Sequence, residues 1–246
     1  VDLDAAHFVL LLAGITLVAF LYSSVGHAGA SGYIAVMTLC GLSATFIRPT
    51  ALVLNILVAA IGSFQFWRAG YFSWRLFWPF ASLAIPAAFL GGYLPVPAAI
   101  LKIAIGAVLL FSAARLFFRP GDPQKVAPPA PAAAVGLGAA IGFLSGLTGT
   151  GGGIFLTPLL LFCDWATIRG AAAVSALFIL VNSIAGLAGF ISSGRAIPGF
   201  AWILALAAVI AGTLGSYLGS RRFPVRTISI LLAIVLVLAG CKLILW

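Results

Sequence analysis

Acidic side chains are almost missing from this chain. Its 246 residues contain four, Asp2, Asp4, Asp122 and Asp164, and none lies within an apolar run. Charge of either sign is scarce, at 7% of residues, against about 25% in a soluble domain. With 63% hydrophobic residues, no soluble fold of this size hides so much apolar surface, so the composition excludes one. The three cysteines, Cys40, Cys163 and Cys241, form no CxxC and no metal-ligand spacing. They are expected to be inert thiols, and neither a metal nor a cofactor is expected. The net charge of +9 is not a nucleic-acid footprint, because the basic residues are scattered at segment ends, as the positive-inside rule places them. No basic region precedes the first apolar run at His7, so no cleavable signal peptide is expected.

What is present is a series of apolar segments. Five fall near 7–25, 31–44, 47–67, 73–94 and 98–118, and five more near 133–147, 153–164, 169–193, 199–219 and 225–245. Between the two sets lies Gly121-Asp-Pro-Gln-Lys-Val-Ala-Pro-Pro-Ala-Pro131, a charged, proline-rich stretch that reads as an aqueous linker. Segments 31–44 and 153–164 are short. A dozen residues reach about 18 Å at helical rise, against a hydrocarbon core of about 30 Å. They are half-helices, thinned spans or arms of re-entrant hairpins.

The halves repeat each other. A shift of 121 places Ser24 on Ser145, Gly32 on Gly153 and Arg48 on Arg169. Leu90-Gly-Gly-Tyr-Leu94 answers Leu214-Gly-Ser-Tyr-Leu218, and Pro97–Leu116 answers Pro224–Leu243. The expected organisation is a first repeat over 1–120, the linker over 121–131, and a second repeat over 132–246. Charge orients them. With an odd number of crossings per repeat and a cytoplasmic linker, Arg68, Arg75, Arg115, Arg119, Lys125, Arg169, Arg221, Arg222 and Arg226 face the cytoplasm. Only Arg48, Lys102, Arg195 and Lys242 face out. An even number gives a nearly level split, so the inverted arrangement is preferred, with both termini periplasmic. The fold class is thus an all-α polytopic membrane protein. It has two inverted repeats of about five hydrophobic segments each, with glycine-broken or re-entrant helices at the repeat interface.

Each half carries one glycine-rich break, Gly26-His27-Ala28-Gly29-Ala30-Ser31-Gly32 and Gly149-Thr150-Gly151-Gly152-Gly153. Backbone at membrane depth outside a helix must be shielded or line a polar cavity. A helix restarting there presents unpaired N–H groups and the positive end of its dipole, which together suit an anion. Interruptions in corresponding positions of two repeats point to a transporter's binding site. Ser31, Thr148 and Thr150 add hydroxyls. His27 is the only histidine at membrane depth, where an ionisable group is by default a functional hypothesis. Thr148 stands at its equivalent in the second half. Asn55 and Asn182 place neutral amides inside long apolar helices, where they orient an oxyanion or bridge helices. Arg48 and Arg169 open equivalent helices and either gate an anion or, more simply, snorkel to the surface. Trp67, Trp74, Trp78, Trp165, Trp202 and Trp246 mostly mark segment ends as an aromatic belt. Read structurally instead, the glycines permit close helix packing.

Two other classes are open to the same residues. A channel would use the break as a fixed constriction. An intramembrane serine hydrolase would use Gly29-Ala30-Ser31-Gly32, but needs a histidine brought from another helix, and His27 lies on the same segment.

Gly146-Leu-Thr-Gly-Thr-Gly-Gly-Gly153, Ala51-Leu-Val-Leu-Asn55, Ser175-Ala-Leu-Phe-Ile-Leu-Val-Asn-Ser183 and the Gly-Gly-Tyr and Gly-Ser-Tyr turns give the chain a further meaning. In their order and duplication it resembles the TauE/SafE-type sulfite and sulfonate exporters along essentially its whole length. The first break departs from the usual glycine run by carrying His27, Ala30 and Ser31. The resemblance implies transport of a small anion such as sulfite, sulfoacetate or a related organosulfonate in a bacterial inner membrane, without enzymatic activity. The implied partners are that anion and the lipid bilayer, with no nucleic acid and with a homodimer left open. The dearth of membrane-depth carboxylates favours export or facilitated alternating access over cation-coupled uptake.

Overall fold

A computed structural model describes residues 5–94, 110, 122–123 and 125–245. Among them all regular structure is helical. The order is α1 (Ala5–Ser24), α2 (Ala30–Leu39), α3 (Ala44–Arg68), α4 (Trp74–Tyr93), α5 (Pro131–Thr148), α6 (Gly153–Phe162), α7 (Ile168–Ser192), α8 (Ala201–Arg221) and α9 (Val225–Leu245). The segment expected at 98–118 lies outside the described residues. Among the described residues, six helices, α1, α3, α4, α5, α7 and α8, are long and apolar enough to cross a membrane. The short elements are as short as the sequence implied: α2 and α6 have ten residues each, about 15 Å of rise. The linker's last proline becomes the first turn of α5, where its missing N–H costs nothing.

The outside of the bundle carries large apolar side chains. On α8, Leu206, Ile210 and Leu214 stand outward, Leu206 being 66% exposed, while Leu204, Ala208 and Ala211 are buried on the other side. Large apolar side chains facing lipid and small ones facing protein let helix backbones approach closely. Two seams exploit this. Gly138, Gly142 and Gly146 of α5 lie against the carbonyls of Phe80, Ala84 and Ala88 of α4, where an added β-carbon would stand 2.0–2.2 Å from each oxygen. The indices rise together, so α4 and α5 run parallel. Gly215 and Gly219 of α8 sit likewise on Phe20 and Ser24 of α1, a second parallel pair. In both seams a first helix from one half clasps a fourth helix from the other.

Between the seams run the two longest helices, α3 and α7, of 25 residues each. Leu52 lies by Gly186, and Gly62 by Ala176. Indices climb on one as they fall on the other, so this central pair is antiparallel. Asn55 and Ser183 meet at the same register, near the middle of both helices.

The two ends of the bundle are tied by arginines. Arg169 donates to Tyr71 Oη and, at 2.7 Å, to the Phe223 carbonyl, while Asp122 of the linker accepts from the Ile168 N–H at 2.7 Å. The linker and the turns before α4, α7 and α9 therefore share one end. Arg48 Nη2 donates to the carbonyls of Gly91, Gly92 and Gly146, and Arg195 Nη2 to those of Gly92 and Tyr93. These sit at the other end of α4, about 30 Å away by its 20 residues. Neither Arg48 nor Arg169 snorkels free. Arg48 satisfies carbonyls left over where α4 and α5 stop, the favourable end of the dipole for positive charge, while Arg169 ties a phenol to the turn after α8.

Candidate functional site

Both glycine breaks reach the middle of the α3–α7 pair. The second begins as α5 ends in a left-handed Gly149, whose N–H returns to Ser145. Gly149 lies against Arg48, and the chain then runs inward. Gly151 and Gly152 have φ of 75° and 84°, a backbone only glycine takes without strain. Space enforces the same choice. A β-carbon on Gly151 would stand 2.7 Å from Ile179 and 2.9 Å from both Asn55 Nδ2 and Ser183 Oγ. On Gly152 it would meet Phe178 at 2.9 Å and Ile141 at 3.1 Å, with Ser145 Cβ at 3.3 Å. The helix α6 then starts at Gly153, with no side-chain cap on its first N–H groups.

The first break starts against α7, where Gly26 rests on Ala172. His27 follows, 2% exposed. Its Nδ1 lies 3.3 Å from the Val25 carbonyl and its Nε2 3.0 Å from the Gly153 carbonyl. That second contact joins the two breaks directly. Most remaining polar groups here are engaged within their own half. Tyr33 Oη donates to the Ala28 carbonyl at 2.5 Å, and Ser31 Oγ to Tyr22 Oη at 3.1 Å. Gly29 faces the Tyr33 ring, and Gly32 packs on Val18 and Tyr22 of α1. Ala30 is buried in an apolar cluster that also takes in Ile179 and Leu204 of the second half.

The structure thus brings His27, Gly151, Gly153 and Asn55 into one neighbourhood. Gly32 packs on α1 instead, Ala30 lies in the apolar core, and Arg48 and Arg169 hold the bundle ends. Thr148 and Thr150 bond each other at 2.9 Å, with Thr148 also returning to the Leu144 carbonyl. Asn182 is fully buried in α7. Neither polar atom of its amide has a hydrogen-bond partner among the described residues, nor has Asn55 Oδ1 or Ser145 Oγ. Buried polar atoms are paired in the great majority of cases, and an exception in a native fold asks for a ligand, a water or a function. Sequence reasoning missed Ser145 and Ser183. The signals were there: Ser145 is the repeat-equivalent of Ser24, and Ser183 stands beside Asn182.

A family model described as "Sulfite exporter TauE/SafE" matches residues 10–243. A "Probable membrane transporter protein y4hK" of Sinorhizobium fredii is 43% identical over 253 residues, covering all of this chain and 98% of the relative. "Probable membrane transporter protein YunE" of Bacillus subtilis is 35% identical over 117 residues, 46% of this chain and 41% of its own. No solved structure matches the chain.

Proposed function

The chain belongs to the sulfite exporter TauE/SafE family, and from that premise we propose that this multi-pass membrane protein carries a small sulfur-containing anion. Sulfite, sulfoacetate or a related organosulfonate is held where the two breaks touch. One observation carries the reading: both breaks converge halfway along the α3–α7 pair, joined by His27 and Gly153, beside the buried hydroxyls of Ser145 and Ser183, the first without a partner among the described residues. Helix starts without caps and neutral hydroxyls offer donors to an oxyanion without a formal positive charge. The clasped seams α4–α5 and α1–α8 exchange with each other when the halves are swapped, which supports an inverted repeat rocking in alternating access. The linker end is cytoplasmic and the termini periplasmic in a bacterial inner membrane, following the excess of arginine and lysine at that end. An inside-negative potential then favours export of an anion by about 2.3 kcal/mol per charge per 100 mV.

The test is transport in proteoliposomes loaded with labelled sulfite, sulfoacetate or taurine. Saturable counterflow of at least one anionic species is expected. Zero flux of every sulfur anion in correctly inserted protein would overturn the reading, and an ohmic current without saturation would replace the carrier by a pore.

A further inference from the structure

Ser145 and Ser183 border the second break, and the role inferred for them rests on the reading of that neighbourhood as an anion site. A helical serine ordinarily returns its hydroxyl to a carbonyl one turn back. Ser23, Ser24 and Ser216 of this protein do so. Ser145 does not: it is fully buried, its Oγ has no partner among the described residues, and its β-carbon faces Gly152. Ser183, also fully buried, accepts a long 3.4 Å bond from Asn55 Nδ2, which leaves its own proton to donate. Asn55 spends its donor Nδ2 on Ser183, and its unpartnered Oδ1 can only accept, so Asn55 orients Ser183 and does not itself donate to an anion. The side chains nearest Gly151 and Gly152 are all neutral.

We propose that Ser145 and Ser183 are further ligand-binding residues of this site, Ser183 held in place by Asn55, and that this neutral lining admits a monovalent oxyanion and rejects a divalent one. The cost of moving an ion out of water grows with the square of its charge. A dianion at membrane depth therefore needs about four times the compensation of a monoanion of the same size. Hydroxyls and a single helix start carrying about half a positive charge meet the smaller demand and not the larger. For a sulfur oxyanion the selected form is then a sulfonate or the singly protonated sulfite.

Methanesulfonate and sulfate share a tetrahedral outline and differ by a methyl in place of a charged oxygen, so they isolate charge. Titrated against the purified full chain, methanesulfonate is expected to bind at least about tenfold more tightly than sulfate. Equal or tighter binding of sulfate overturns charge selection while leaving the anion site in place. Binding of neither ion removes the anion site itself, and with it the transport reading. Ser145→Ala assigns the hydroxyl. Its removal takes away a buried group with nothing to lose in the unliganded protein, so the unliganded Tm is expected to hold or rise. The methanesulfonate Kd is expected to rise about tenfold. A lowered Tm with an unchanged Kd makes Ser145 structural and overturns its role. Ser183→Ala is expected to weaken binding likewise, and should it fail to fold, Ser145→Ala decides alone.

Discussion

The two glycine breaks occupy equivalent places in the sequence and are built differently. The first is filled and largely self-contained. His27 occupies it, two tyrosines and Ser31 bond within their own half, and its polar side chains have named partners. The second is bare backbone. Its glycines run past Asn55, Ser145 and Ser183, where polar atoms are left over. A duplicated motif therefore need not give two equal half-sites. On the function proposed above, the first break is a strut that fixes the second, and the second presents the backbone and hydroxyl donors.

The sharpest way to break that contrast is to fill the second break. Gly151→Val forces a β-branched residue into left-handed backbone and into Asn55 and Ser183. Sulfite or sulfonate binding is expected to fall at least a hundredfold, read by ligand-induced thermal shift. Wild-type affinity in a folded Gly151→Val protein would deny the second break its role.

His27→Ala tests the strut. It removes the contact to the Gly153 carbonyl and leaves a void, so stability is expected to drop by about 1–3 kcal/mol, seen as a lower Tm in detergent. Affinity should fall because Gly153 is no longer fixed, and His27→Gln should recover part of both by restoring one donor. An unchanged Tm with lost affinity would instead make the first break ligand-facing like the second.

Tyr33→Phe probes the same contrast more gently. It deletes one hydroxyl bond inside the first break. A loss of about 1 kcal/mol is expected, with the ligand-induced shift intact. A collapse of that shift would show that the first break is not self-contained.

The mildest perturbation addresses how the halves are turned. Single cysteines at Lys125, Arg222 and Arg195, in a background without native cysteines, should report the first two from one side of the membrane and the third from the other. Labelling of Lys125→Cys and Arg222→Cys from opposite sides would refute an inverted repeat.

Much of the fold was legible in the chain. The breaks and the short α2 and α6 come from periodicity, composition and self-similarity, which are local or repeated signals. The partners were not legible. Arg48 looked like a surface cation because sequence shows only its place at a helix start. The carbonyls it holds belong to Gly91, Gly92 and Gly146, brought there by the α4–α5 seam. Asn55 finds Ser183 only through the antiparallel register of α3 on α7. Ser145 was unremarkable in sequence because most helical serines satisfy themselves, and its significance lies in a bond it does not make.

The crossed clasp of α1 by α8 has a consequence for synthesis. Phe20 and Ser24 wait for Gly215 and Gly219, 195 residues later in each case. At the ribosome's pace of about 5–20 residues per second, that is an interval on the order of ten to forty seconds. Through it the first helix is already in the membrane without its partner backbone. The nascent first half must be held by lipid or by the insertion machinery, and the fold closes only when the penultimate helix arrives.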